Sequence, residues 1–155
     1  TNTGTVMSKI KALVVDDSKI MRSAVKRTLD QLMLADFEYV EAKDGEEALE
    51  KFNDEIQIMF VDWNMPKMTG VEFAKAVRKQ GNEHVPIIMV TAEKSMGKVD
   101  KALNEGGANE YITKPFTADK MHKALSRYID EKGNMITDEE EEGEGKSFFR
   151  DILNS

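Results

Sequence analysis

Apolar positions along the chain follow two different periods. Residues 12–15, 56–61 and 86–90 are apolar almost without interruption and rich in Val, Ile and Met. Such runs suit strands buried on both faces, as in a parallel sheet. Residues 37–41 and 109–112 form two weaker strand candidates. Between these runs the period lengthens. Met121, Ala124, Leu125, Tyr128 and Ile129 fall at the spacing of a core-facing helical stripe. Met96, Val99, Ala102 and Leu103 make a similar stripe ahead of Gly106 and Gly107, a pair suited to stopping a helix. Residues 19–32, 46–52 and 71–79 also read as helices. The strand-helix alternation occurs five times, predicting an α/β fold: a doubly wound, five-stranded parallel sheet with helices on both faces. In such folds the functional crevice lies outside the carboxyl ends of the strands.

Composition narrows the setting. A chain of 155 residues, 40% hydrophobic, supports one domain with a proper core. It has no cysteine, which excludes a disulfide framework, thiolate metal sites and Cys nucleophiles and suits a reducing cytoplasm. No apolar run approaches the roughly 18 residues of a membrane span. The formal charge of −7 disfavours non-specific nucleic-acid binding. That charge is concentrated: Asp138, Glu139, Glu140, Glu141, Glu142 and Glu144 crowd into one short stretch. The other 23 acids face 22 bases, leaving the rest near neutral at −1. The expected organisation is a polar leader at 1–6, a folded body at 7–132, an acidic linker at 133–145 and a short amphipathic segment at 146–155. If helical, that last segment places Phe148, Phe149, Ile152 and Leu153 on one face. It suits docking on its own or another copy, recruitment of a separate protein, or a plain solvated tail.

The crevice rule selects residues. Asp16 and Asp17 follow the first strand, Asp62 follows the third, Thr91 the fourth, and Lys114 with Pro115 the fifth. Each has an ordinary reading: Asp17 or Ser18 as a helix cap, Asp62 as a turn residue, Thr91 as a helix start, Lys114 as a surface lysine in a turn. Jointly they converge on one edge. Three carboxylates there repel one another unless a cation neutralises them, and hard oxygen ligands suit Mg²⁺ or Mn²⁺. The Lys and Thr complement an anion with several oxygens, such as a phosphoryl group.

The strings Val14-Val-Asp-Asp17 with Met21-Arg22, Asp62-Trp-Asn-Met-Pro66 with Gly70, Val90-Thr-Ala-Glu93, and Tyr111-Ile-Thr-Lys-Pro-Phe116 carry a resemblance. The chain resembles the receiver domains of two-component response regulators, and within them the single-domain, CheY-like chemotaxis branch. The likeness spans about residues 9–131 and implies a flavodoxin-like (βα)5 fold with strand order 2-1-3-4-5. It implies that Asp62 is the phosphoacceptor, taking its phosphoryl group from a histidine kinase. Asp16, Asp17, Asp62 and the backbone carbonyl of Asn64 would hold Mg²⁺, with Asp16 acting mainly through water. Lys114 would pair with a phosphoryl oxygen, and Thr91 and Tyr111 would switch the output surface. Asn64 and Glu93 would tune self-dephosphorylation, with Ala92 leaving the water path open. The Lys114–Pro115 bond would be cis. The implied partners are a CheA-like kinase, an output protein such as a flagellar motor switch component, and a phosphatase. Such a protein is a signalling module with weak self-dephosphorylation, not an enzyme in the usual sense.

Three other readings stand beside this one. A phosphate sink or relay intermediate keeps the same fold. A Mg²⁺-dependent phosphohydrolase would want a second Asp two residues after its nucleophile, where this chain has Asn64. A DNA-binding regulator would need more than the acidic stretch after Gly133. His84 and His122 fall away from the acidic edge and read as surface residues.

Overall fold

The computed structural model describes residues 9–136. The leader, the acidic run and the segment at 146–155 therefore lie outside the described residues. Five parallel strands, β1 (Ile10–Val15), β2 (Phe37–Ala42), β3 (Ile58–Val61), β4 (Ile87–Thr91) and β5 (Glu110–Thr113), make one sheet in the order β2-β1-β3-β4-β5. The helices are α1 (Lys19–Leu32), α2 (Gly45–Lys51), α3 (Gly70–Lys79), α4 (Met96–Asp100) and α5 (Ala118–Leu125).

Alternate residues of the central strands serve two separate cores. Leu13, Val15, Met59, Val61, Ile87 and Met89 pack with Ala48 of α2 and with Val71, Phe73, Ala74 and Val77 of α3. Ala12, Val14, Ile58, Phe60, Ile88 and Val90 pack with Val25 and Leu29 of α1 and with Met121 and Leu125 of α5. Both faces are covered, so the strands carry no polar alternation. Each α-helix begins on a side-chain cap. Ser18, not Asp17, caps α1 by accepting from the Met21 N–H, which leaves Asp17 free of that duty. Thr69 and Glu72 form a reciprocal capping box at α3.

β3 is shorter than its apolar run. Ile56 is buried, but the chain joins the ladder only at Ile58, after Gln57 has bonded Lys11 through backbone and side chain. Pro86 lacks an N–H and stays outside β4, although its carbonyl accepts from Met59 N–H at 2.9 Å.

The stripe expected on the fourth helix does not hold. Ala102 is fully buried and Val99 half-buried, but Met96 is 80% and Leu103 37% exposed. For Leu103 the cause is a change of winding: α4 continues into a π-helical turn, Lys101–Glu105, in which the Gly106 N–H donates to the Lys101 carbonyl at 3.0 Å, whereas Met96 opens α4 ahead of that turn. An inserted residue per turn rotates later side chains out of the α-helical phase. The glycine stop is present, with Gly107 in the left-handed region at φ 72°. Arg78 fastens this turn, donating to the Gly107 carbonyl at 2.8 Å and to Asn109 Oδ1 at 3.0 Å.

The fifth helix ends at Leu125, before Tyr128 and Ile129. Both still face the core because the chain turns back, pairing Ile129 with Met135 in an antiparallel bridge. Asp130 Oδ1 accepts from the N–H groups of Lys132 and Asn134 within that turn. Gly133, at φ 83°, also lies within it. Among the described residues no helix is long and apolar enough to cross a membrane.

Candidate functional site

Backbone pairing runs one residue past the strands and aligns the edge. The Asp16 N–H donates to the Ala42 carbonyl at 3.1 Å, Asp62 N–H to Val15 at 2.9 Å, and Lys114 N–H to Thr91 at 2.8 Å. The last side chains of β1, β3, β4 and β5 thus meet at one place. Carboxylate oxygens of Asp16, Asp17 and Asp62 all lie within 4.8 Å of one another. Asp16 and Asp62 are buried, whereas Asp17 is exposed. Lys114 Nζ sits 2.7 Å from Asp16 Oδ2 and 3.5 Å from Asp62 Oδ2. The Lys114–Pro115 bond that delivers it is cis.

The donor set fits a small hard divalent cation. Three carboxylates supply oxygen only, and exposed Asp17 leaves a side open to water. One ammonium cannot balance three carboxylates. Burial accordingly pushes the Asp62 carboxyl above its ordinary pKa, with nearby Asp16 adding to the rise. A Thr91 side-chain hydrogen bond, the Lys114 charge and the Trp63 N–H pull the other way. Thr91 is completely buried, and its hydroxyl oxygen accepts from the Glu93 N–H at 3.3 Å.

Glu93 links the rest. Its Oε1 accepts from Asn64 Nδ2 at 2.6 Å and pairs with Lys98 Nζ at 3.1 Å. Both lower its pKa, the Asn64 bond most. Its backbone carbonyl accepts from the Tyr111 hydroxyl at 2.8 Å, holding that half-buried ring against the α3 core. Thr91, Asn64 and Tyr111 all bond to Glu93, so the residues expected to react and those expected to switch form one connected group. His84 and His122 are exposed and stand on other parts of the molecule, before β4 and on α5.

Gly70 makes the loop after Asp62 feasible. A Cβ at Gly70 would lie 2.1 Å from the Asp62 carbonyl oxygen, so only glycine lets α3 start this close to the acidic edge. Two contributors escaped the sequence reading of roles. Arg22 donates to the Asp16 backbone carbonyl at 2.7 Å, and Lys98 lies 5.8 Å from the centre of the buried Trp63 ring. Each is a single polar residue on a helix. Arg22 had a signal in its place six residues after Asp16; Lys98 had none.

Sheet order and edge chemistry together place the molecule in a class, the doubly wound α/β proteins with an acidic site at the carboxyl edge of the sheet. Its family is then plain: the chain belongs to the response regulator receiver domain family, whose profile matches residues 12–126. Among curated proteins it is similar to the chemotaxis protein CheY1 of Helicobacter pylori, at 42% identity over 119 residues, 75% of this chain and 94% of that protein. It is 43% identical to a CheY homologue of Campylobacter jejuni, over 75% of this chain and 89% of the relative. Among solved structures, the chemotaxis protein CheY4 of Vibrio cholerae superposes with a TM-score of 0.66 at 38% identity. That match covers 77% of this chain and 98% of the other.

Proposed function

We propose that this receiver accepts a phosphoryl group on Asp62 in a Mg²⁺-dependent reaction and thereby switches the binding of an output protein. The observation that carries the reading is the meeting of Asp16, Asp17 and Asp62 with Lys114 at the carboxyl edge. Asp16, Asp17, Asp62 and the Asn64 carbonyl would hold the cation. When bound, the cation offsets charge between an anionic nucleophile and an anionic donor. Asp62 Oδ attacks the phosphorus of a phosphohistidine or small acyl phosphate; the P–O or P–N bond to the donor breaks, and an aspartyl phosphate forms. Lys114 exchanges its Asp62 contact for a phosphoryl oxygen. Thr91, whose hydroxyl oxygen accepts from the Glu93 N–H, turns its hydroxyl to the new group and loosens the Glu93 segment that holds Tyr111. That is a population shift between two arrangements, biased by contacts present only with phosphate. Asn64 and Glu93 border the path of the water that later hydrolyses the acyl phosphate.

Similarity to named chemotaxis proteins supports a CheA-like histidine kinase upstream and an output partner such as a flagellar motor switch component. The deciding experiment is intact-mass analysis after incubation with acetyl phosphate, with Mg²⁺ or with EDTA. One phosphoryl adduct, present only with Mg²⁺ and absent in Asp62→Ala, is expected. An adduct that survives Asp62→Ala, or none at all, would refute the assignment. A pull-down with beryllofluoride-treated protein then separates the switch from a phosphate sink, which would capture no phosphorylation-dependent output partner.

A further inference from the structure

The acidic turn is gripped from behind by a guanidinium. Arg22 lies in the opening turns of α1 with a side chain only 15% exposed. Its Nη1 donates to the Asp16 backbone carbonyl at 2.7 Å, and its Nε donates to Glu41 Oε1 at 2.9 Å. Glu41 is itself immobilised: Lys26 Nζ holds Oε2 at 2.8 Å, and Lys51 Nζ holds its backbone carbonyl at 2.7 Å. A planar fork with two fixed partners at different nitrogens sets the orientation of whatever it touches. On the other side of the turn, the Ser18 N–H donates to Asp16 Oδ1 at 2.9 Å, leaving Oδ2 to Lys114. The Asp16–Asp17 peptide is thus held through its carbonyl by Arg22 and through the Asp16 carboxylate by Ser18 and Lys114.

We infer that Arg22 is a positioning residue for the divalent-cation site, acting through the Asp16 carbonyl with Glu41 as its anchor. The inference rests on the Mg²⁺ reading proposed for the acidic edge and assigns a residue outside the ligand set. Simple electrostatics predicts the opposite effect, because a guanidinium beside an acidic cluster opposes a bound cation. Removing it should then tighten Mg²⁺ binding, whereas loss of positioning should weaken it. The sign of the change decides between the two.

The full-length protein and its Arg22→Lys and Arg22→Ala variants are titrated with Mg²⁺ by calorimetry and by Trp63 fluorescence. Each is also melted in EDTA and in saturating Mg²⁺. Arg22→Lys keeps the charge and loses the fork, so its affinity should fall by about tenfold, the low end of the range for groups that orient metal ligands. Arg22→Ala should bind more weakly too, although its site becomes more anionic. The Mg²⁺-induced rise in melting temperature should shrink in both, while the EDTA melts of native protein and Arg22→Lys stay close. Native-like affinity in Arg22→Lys, or tighter binding in Arg22→Ala, overturns the inference. No calorimetric response in the native protein would instead refute the cation site itself, and the positioning role with it.

Discussion

Replacing Asp62 by Asn should stabilise the protein without metal, and the sources of the gain can be weighed. Each neighbouring carboxylate lies within 4.8 Å, where two unit charges at an effective dielectric near 20 repel by ~3 kcal/mol. Lys114 at 3.5 Å returns ~5 kcal/mol. Exposed Asp17 is screened by water, so its share is smaller than that of Asp16. The Coulomb contributions nearly cancel, and the cost of desolvating the Asp62 carboxylate decides the sign. That agrees with the raised pKa, for which burial is the largest cause. Asn has nearly the same shape and can still accept from Thr91. The net gain at neutral pH is therefore ~1–2 kcal/mol, the scale on which burial of polar groups is measured by mutation.

The pH dependence comes from linkage. A raised pKa means that the folded protein binds more protons than the unfolded chain between the ordinary carboxylate range and the shifted value. Native stability then declines as pH rises through that window. The advantage of Asp62→Asn should be largest at neutral pH and fade toward acid, where Asp62 is protonated in both states. Thermal unfolding in EDTA, followed by far-ultraviolet circular dichroism, measures it: a gain on the order of 5 °C at neutral pH, shrinking on acidification. Mg²⁺ should narrow the gap by stabilising the native site alone. A variant less stable than native at neutral pH, or a gap that does not change with pH, would refute the reasoning.

Three further outcomes are expected. Gly70→Ala should cost ~3 kcal/mol, at the upper end for forcing atoms into a packed site, since its Cβ meets the Asp62 carbonyl at 2.1 Å; urea unfolding checks this. Lys67 adopts φ 70° and lies 3.8 Å from Asp44, at the long end for an ion pair. Lys67→Gly should therefore raise the denaturation midpoint by up to ~1 kcal/mol in equivalent stability, and a fall would show that the ion pair matters more than the backbone. Glu41 behaves oppositely to Asp62. Its pKa is lowered, first by the Lys26 hydrogen bond and, against a smaller desolvation cost, by Arg22 as well. Its stabilisation is present above the ordinary carboxylate range and lost as pH falls, so the deficit of Glu41→Gln should be largest at neutral pH, vanish in acid and shrink with added salt.

How far the sequence carried these conclusions depends on what each residue repeats. Leu13, Val15, Met59 and Val61 face one core and Val14, Ile58 and Phe60 the other, so continuous apolar runs announced a two-sided sheet before any contact was known. The edge residues were legible for a related reason: strand ends are points where an apolar run stops, and Asp16, Asp62 and Thr91 occupy them. Periodicity failed where the backbone changed its winding. The fourth-helix stripe assumed 3.6 residues per turn through Leu103, but the π-helical turn at Lys101–Glu105 broke that phase. Long polar side chains are the other blind spot. Glu41 and Lys98 reach from strand and helix surfaces to Arg22 and to Glu93, and their sequence neighbourhoods are those of any solvated residue; Arg22, which reaches the acidic turn, is marked only by its place after Asp16. The carboxylates of Asp62 and Glu41 fall on either side of that divide. Asp62 was legible and is strained by burial; Glu41 was not and is relaxed by its ion pairs. Their opposite pH responses separate a carboxylate buried beside like charge from one held by two cationic side chains.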